Sequence, residues 1–128
     1  MSLKIAITGH TKGIGKAIAN ALHEHTVIGF SRSNGYDISS DFKKIAQESR
    51  ECDVFINNAY CDFAQCDLLD EMFKLWIYQR KTIININSRA IYNYDTSYRY
   101  SGSKNALRDL SIKKIFSKRQ CRIININP

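Results

Sequence analysis

The chain has 128 residues, of which 44% are hydrophobic and 24% charged, with one proline and six glycines. That size and balance predict a single domain spanning residues 1–128, and exclude disordered, linker and collagen-like sequence. No apolar run approaches the ~20 residues that a membrane helix requires. Met1-Ser2-Leu3-Lys4 leads straight into an apolar strand, leaving no room for a signal peptide, so a cytoplasmic protein is expected. The net charge of +7 is unevenly placed: residues 1–80 hold nine Lys/Arg against ten Asp/Glu, and residues 81–128 hold ten against two. Much of the basic excess falls on Lys113, Lys114, Lys118 and Arg119, which suits a solvated helix face. No basic run interleaved with aromatics is present, so nucleic acid is not the expected partner.

The elements follow in order. Leu3–Ile7 is a short apolar run of strand type, and Ile14, Ala17, Ile18, Ala21 and Leu22 recur at helical spacing up to about His23. Thr26–Phe30 is a strand, and residues 41–51 read as a helix with Phe42, Ile45 and Ala46 on its buried stripe. Asp53–Asn57 is the next strand. Asp67 is placed to cap a helix over residues 68–79, with Asp70 and Glu71 in its first turn. That helix is apolar nearly all round, which predicts cover on more than one side and suggests another subunit as the second cover. Thr82–Asn87 is a strand, residues 101–117 a helix and Arg122–Asn127 a last strand. Strands alternating with helices imply an α/β fold, a doubly wound parallel sheet with helices on both faces.

Cysteines 52, 61, 66 and 121 form no Cys-x-x-Cys pair, and no histidine sits at zinc spacing. Free thiols and no metal are expected. Chemistry concentrates instead at the first strand–helix junction, Thr8-Gly9-His10-Thr11-Lys12-Gly13-Ile14-Gly15. Gly9 permits a tight turn off the strand, Gly13 lets the backbone approach a pyrophosphate, and Gly15 permits close helix–strand contact. In this context the glycines read as a dinucleotide loop. The second strand ends Phe30-Ser31-Arg32-Ser33, where a carboxylate would favour the free ribose hydroxyl of NAD. A cation and two hydroxyls favour the 2′-phosphate of NADP(H) instead, and Lys12 adds a second cation.

The spacing Gly-x-x-x-Gly-x-Gly is similar to that of the short-chain dehydrogenase/reductase family. Further landmarks of that family follow in order: Asp37-Ile38, Asn57-Asn58-Ala59, Ser88 after a strand, Tyr100-x-x-x-Lys104, and Asn127-Pro128. The resemblance implies a Rossmann-like domain and a reversible hydride transfer between NADP(H) and a small carbonyl or alcohol. It implies that Tyr100 is the general acid/base, that Lys104 lowers the phenol's pKa and holds the nicotinamide ribose, and that Ser88 bonds the substrate oxygen. Bringing a phenol from a pKa near 10 to about 7 requires roughly 4 kcal/mol, within reach of a nearby ammonium together with the positive nicotinamide ring of the oxidised complex. The implied cofactor set comprises Gly9, Thr11, Lys12, Gly13, Ile14 and Gly15 in the loop, and Ser31, Arg32 and Ser33 after the second strand. Asp37 and Ile38 would meet the adenine, Asn57, Asn58 and Ala59 the adenine-ribose side, and Ile86, Tyr100, Lys104 and Pro128 complete the set. The resemblance also points to a homodimer or homotetramer, through helices 68–79 and 101–117.

The chain departs from the family pattern at several points. Tyr60 stands where a glycine usually completes Asn-Asn-Ala-Gly. Only four residues separate Arg32 from Asp37, so the family's second helix is absent and its third strand is at most a remnant. The stretch from Asn57 to Ser88 is short, no match for the family's catalytic asparagine is found, and the sequence ends at Pro128, before the usual substrate-covering segment and seventh strand. Two alternatives therefore stand beside an active reductase: an NADP(H)-binding protein with little or no turnover, acting as a sensor or assembly subunit, and a binder of nucleic acid or another anionic partner through the basic half.

Overall fold

A computed structural model of the chain describes residues 2–87 and 98–128. Five strands, β1 (Lys4–Thr8), β2 (Thr26–Phe30), β3 (Val54–Asn57), β4 (Thr82–Ile86) and β5 (Arg122–Ile126), form one sheet in the order β2-β1-β3-β4-β5. Every pairing is parallel. Four α-helices connect them: α1 (Gly13–Ala21), α2 (Phe42–Ser49), α3 (Ala64–Trp76) and α4 (Tyr98–Ile115). This is the expected Rossmann-like α/β architecture.

The sheet divides the core into two layers, because successive side chains of a strand point to opposite faces. Ile5, Ile7, Ile56 and Ile86 pack with Ile18 of α1 and with Leu22 just after it. Ala6, Phe55, Ile83 and Ile123 face the other way, onto Ile45 and Ala46 of α2, Leu68, Leu69, Met72 and Trp76 of α3, and Leu107 of α4. The arrangement follows from handedness. The chain moves outward from β1 to β2 through α1 and returns across β1 to β3 through α2, so right-handed crossovers place those two helices on opposite faces. On the α1 side, Ile84, Ile86 and Ile126 line a shallow apolar groove beside Ile18 and Leu22.

The bounds expected for α3 change. The helix begins at Ala64, one turn before the expected Asp67 cap, and Asp67 lies inside its first turn. Ala64 and Gln65 are buried against the sheet, and this packing extends the helix upstream of the residue best suited to cap it. The apolar girth of α3 is also covered within the chain. Leu75 and Ile77 pack against the same core as Leu68 and Trp76, and the Lys114–Asp70 ion pair at 2.6 Å ties α4 to α3. Tyr78, just beyond the helix and part of the same apolar stretch, is 72% exposed.

Between β2 and α2 the chain makes a short 3-10 turn, Arg32–Asn34, in place of a helix and strand. The Asn34 side chain accepts from the Ser31 N–H at 2.7 Å and donates to the Gly29 carbonyl at 2.7 Å. Gly35, at φ +91°, then reverses the chain in a conformation that favours glycine. This turn holds Arg32 and Ser33 in the open.

Candidate functional site

The strand order reverses between β1 and β3, whose connections leave toward opposite edges of the sheet. In open parallel sheets such a switch point, at the carboxyl ends of the strands, forms a crevice for ligands. Here the crevice is stitched by side chains. Thr8 Oγ1 accepts from the backbone N–H groups of Asn58 and Ala59 at 3.1 and 3.0 Å. The Asn58 amide donates in return to the carbonyls of Thr8 and Gly9.

The glycine loop follows directly. Gly9 has φ +71° and Gly13 φ +53°, both in the left-handed region. Gly15 packs so closely that a Cβ there would lie 1.9 Å from the Gly9 carbonyl oxygen. Lys12, the residue before α1, makes no side-chain cap hydrogen bond, and the first turn carries no acidic residue. The amino end of α1 therefore presents unpaired N–H groups and a positive dipole end, which suits a phosphate.

A cleft of about 520 Å³ opens beside this loop. Of the residues expected to bind a cofactor, Gly9, Thr11 and Lys12 line it on the loop side, Ser31, Arg32 and Ser33 at the end of β2, and Ile38 and Ala59 beyond. The Ser31 and Ser33 hydroxyls lie 2.6 Å apart. Phe30, Tyr36, Tyr60 and Cys61 complete the lining and were not singled out as cofactor contacts by sequence. Phe30 and Tyr36 meet edge-on at 4.8 Å, forming an aromatic wall.

Other expected residues stand elsewhere. Asn57 is fully buried, its amide donating to the Gln65 carbonyl and to Asn85 Oδ1. Asn58 is occupied with the β1 carbonyls. The Asp37 carboxylate accepts from the N–H and hydroxyl of Ser39, at 2.9 and 2.6 Å, and these bonds hold its pKa below the ordinary value. Ile14 is exposed, Ile86 lies in the α1-side core, and Pro128 is exposed after β5. Ser88 lies outside the described residues.

Tyr100 and Lys104 share the first turns of α4, and the Lys104 ammonium lies 5.6 Å from the Tyr100 ring centre. Lys104 is 3% exposed and donates to Gln65 Oε1 at 2.6 Å and to the Ile86 carbonyl at 3.2 Å. Desolvation lowers its pKa from 10.5 to about 8. Gln65 in turn donates to the carbonyls of Asn57 and Ile86. Sequence reasoning overlooked Gln65. Its signal is a polar side chain on the buried stripe Gln65, Leu68, Leu69, Met72, Trp76. Between this pair and the cleft stands Tyr60, whose ring meets that of Tyr100 at 4.7 Å and 64° and lies 5.7 Å from the Lys104 ammonium.

Among the described residues no helix is long and apolar enough to cross a membrane. No family model matches the sequence, and no curated protein matches it. Solved structures do. A short-chain dehydrogenase from Burkholderia cenocepacia, in complex with NADP, superposes with a TM-score of 0.82 at 18% identity, covering 100% of this chain and 74% of that one. The 3-alpha-hydroxysteroid dehydrogenase of a Pseudomonas species, complexed with NADH, gives 0.78 at 20% identity, with 98% and 78% covered. A short-chain dehydrogenase/reductase family oxidoreductase from Brucella ovis, with a partially ordered NAD, gives 0.73 at 19% identity, with 100% and 83% covered. Over its whole length, therefore, the chain has the fold of short-chain dehydrogenase/reductase structures.

Proposed function

We propose that the chain is an NADP(H)-dependent oxidoreductase acting on small carbonyl or alcohol substrates. The observation that carries this reading is the cleft at the switch point, where the uncapped amino end of α1 meets Lys12, Arg32 and the paired hydroxyls of Ser31 and Ser33. In this reading the backbone around Gly9, Gly13 and Gly15 cradles the pyrophosphate, and Lys12 and Arg32 grip the 2′-phosphate. Ile38 and Ala59 flank the adenosine. The bound nicotinamide supplies the hydride chemistry. The chain's own contribution is orientation and proton transfer: Tyr100 donates to or accepts from the substrate oxygen through its hydroxyl, and Lys104 places a positive charge beside it. Ser88, carried over from the family pattern, bonds the same oxygen. The neighbours that bind NADP or NAD support the nucleotide half of this reading.

A specific observation favours a second reading, nucleotide binding with little turnover. The Lys104 ammonium is committed to Gln65 and Ile86, and Tyr60 stands between Tyr100 and the cleft. Following NADPH absorbance with a panel of aldehydes, ketones and quinones decides between them. The oxidoreductase reading expects turnover in the wild type and its loss in Tyr100→Phe. Binding of NADPH with no turnover of any substrate would leave the second reading.

The same proposal includes a cytoplasmic protein with free thiols, assembled as a homodimer or homotetramer through α3 and α4. Phe116, 85% exposed just beyond α4, and the exposed Ile112 support that face. A monomer by light scattering at micromolar concentration would overturn the assembly.

A further inference from the structure

The nucleotide cleft and the Tyr100–Lys104 pair adjoin through Tyr60. Tyr60 lines the cleft, whereas Tyr100 and Lys104 do not. Tyr60 therefore belongs to both: it borders the cleft, its ring meets the Tyr100 ring at 4.7 Å, and the Lys104 ammonium lies 5.7 Å from its centre. The backbone leading to it is fixed. Ala59 donates its N–H to Thr8 Oγ1, and the Ala59 side chain would lie 3.0 Å from a Cβ at Gly9. Tyr60 itself is 40% exposed, so its ring is held by the aromatic and cation–π contacts and not by burial.

From this we infer that Tyr60 is the residue that sets which part of a nucleotide the protein accepts. The cleft as it stands is a complete site for an adenosine carrying 2′- and 5′-phosphates. Arg32, Lys12, Ser31 and Ser33 are at hand for the 2′-phosphate, the α1 amino end for the other, and Phe30 and Tyr36 form an aromatic wall. A dinucleotide needs more room, because its nicotinamide half must reach Tyr100 and Lys104, and the residue that borders the cleft and also touches both of them is Tyr60. The wild type therefore gains nothing from the nicotinamide half until the ring leaves Tyr100, and it discriminates against dinucleotides relative to the adenosine bisphosphate. Where the family pattern has glycine at this position, no side chain would impose this discrimination.

The inference rests on the cleft being a 2′-phosphate nucleotide site, and titration calorimetry with two probes separates the two claims. NADPH and adenosine 2′,5′-bisphosphate are titrated into the wild type, Tyr60→Ala, Tyr60→Gly and Tyr60→Phe, with thermal melts confirming that each is folded. The expected result is that the wild type binds the bisphosphate at least as tightly as NADPH. In Tyr60→Ala and Tyr60→Gly the ratio of affinities shifts about tenfold toward NADPH over the bisphosphate, a factor in keeping with the loss of one aromatic contact. Tyr60→Phe retains the ring and keeps the wild-type ratio. If the bisphosphate binds but the ratio is unchanged in both truncations, Tyr60 has no such role while the nucleotide reading stands. Equal changes for both ligands make Tyr60 a simple wall of the cleft and overturn the inference. If neither ligand binds the wild type, both claims fall.

Discussion

The Lys104 ammonium donates to the side-chain oxygen of Gln65 at 2.6 Å, joining α4 to α3 beneath the candidate catalytic tyrosine. A buried charge held by a neutral amide is an arrangement in which every donor and acceptor matters. Gln65→Leu removes the nearer of the ammonium's two acceptors, leaving only the Ile86 carbonyl, and also takes a donor from the Asn57 carbonyl. The expected loss is about 2–4 kcal/mol of stability, read as a lowered urea midpoint with an unchanged slope. A change under about 0.5 kcal/mol would mean that solvent replaces the glutamine at this depth.

The same lysine gives stability a pH dependence. Burial lowers its pKa from 10.5 to about 8, so across that interval the unfolded chain carries a proton that the folded chain has released. Stability therefore rises with pH through this window, by up to about 3 kcal/mol, and the full cost of the buried charge remains below it. Cys52, Cys66 and Cys121 work in the opposite sense, because burial raises their thiols and the folded chain keeps protons that the unfolded chain gives up. The lysine's part is isolated as the difference in unfolding free energy between wild type and Lys104→Met, which should shift in favour of the wild type as pH rises. A flat difference would sink the assignment.

Arg32 lines the cleft from an exposed turn, where a guanidinium can grip a phosphate bidentately. Arg32→Ala should weaken NADPH about 10- to 100-fold and NADH little, in line with the loss of a charge-assisted hydrogen bond. Equal losses for both cofactors would remove the 2′-phosphate from this position.

Two glycines of the loop should behave very differently. At Gly15 an added methyl meets the Gly9 carbonyl at 1.9 Å, so Gly15→Ala forces loop and helix apart and should abolish nucleotide binding. At Gly13 nothing lies within 4 Å, and only the positive φ opposes substitution. Gly13→Ala should therefore cost about 1–2 kcal/mol of stability. Thermal melts together with NADPH titration of both variants check the contrast.

The strands and the glycine loop were legible because their signals are local. Short isoleucine-rich runs alternate with helical periodicity, and Gly9 to Gly15 fall at the one junction where their spacing has a geometric use. The start of α3 was misplaced because Asp67 is a good cap by residue type, whereas burial of Ala64 and Gln65 on the sheet decides the outcome. Asn57 reads as a ligand contact from its motif, yet its side chain turns inward to Asn85, a partner 28 residues away. Tyr60 could be flagged as an intruder at a glycine position. That its ring would reach Tyr100 depends on how α4 approaches β3, which no local pattern encodes.

Isoleucine strands are poor at keeping count. If β5 slid two residues along β4, Ile126 would stand beside Ile84 and one face of the sheet would look almost unchanged. The amides mark the correct alignment. Asn57, Asn85 and Asn125 occupy one row across three parallel strands, with Asn57 donating to Asn85 at 3.0 Å and Asn85 to Asn125 at 3.2 Å. In the slipped sheet Asn127 would take the place beside Asn85, but Asn125 would face Ile83 in the dry layer, with its side-chain acceptor stranded. The row thus serves as an index for assembly of the sheet. Because the Asn57 amide also reaches the backbone of Gln65, which holds Lys104, the mark that aligns the strands also sets the height of the lysine beneath the tyrosine.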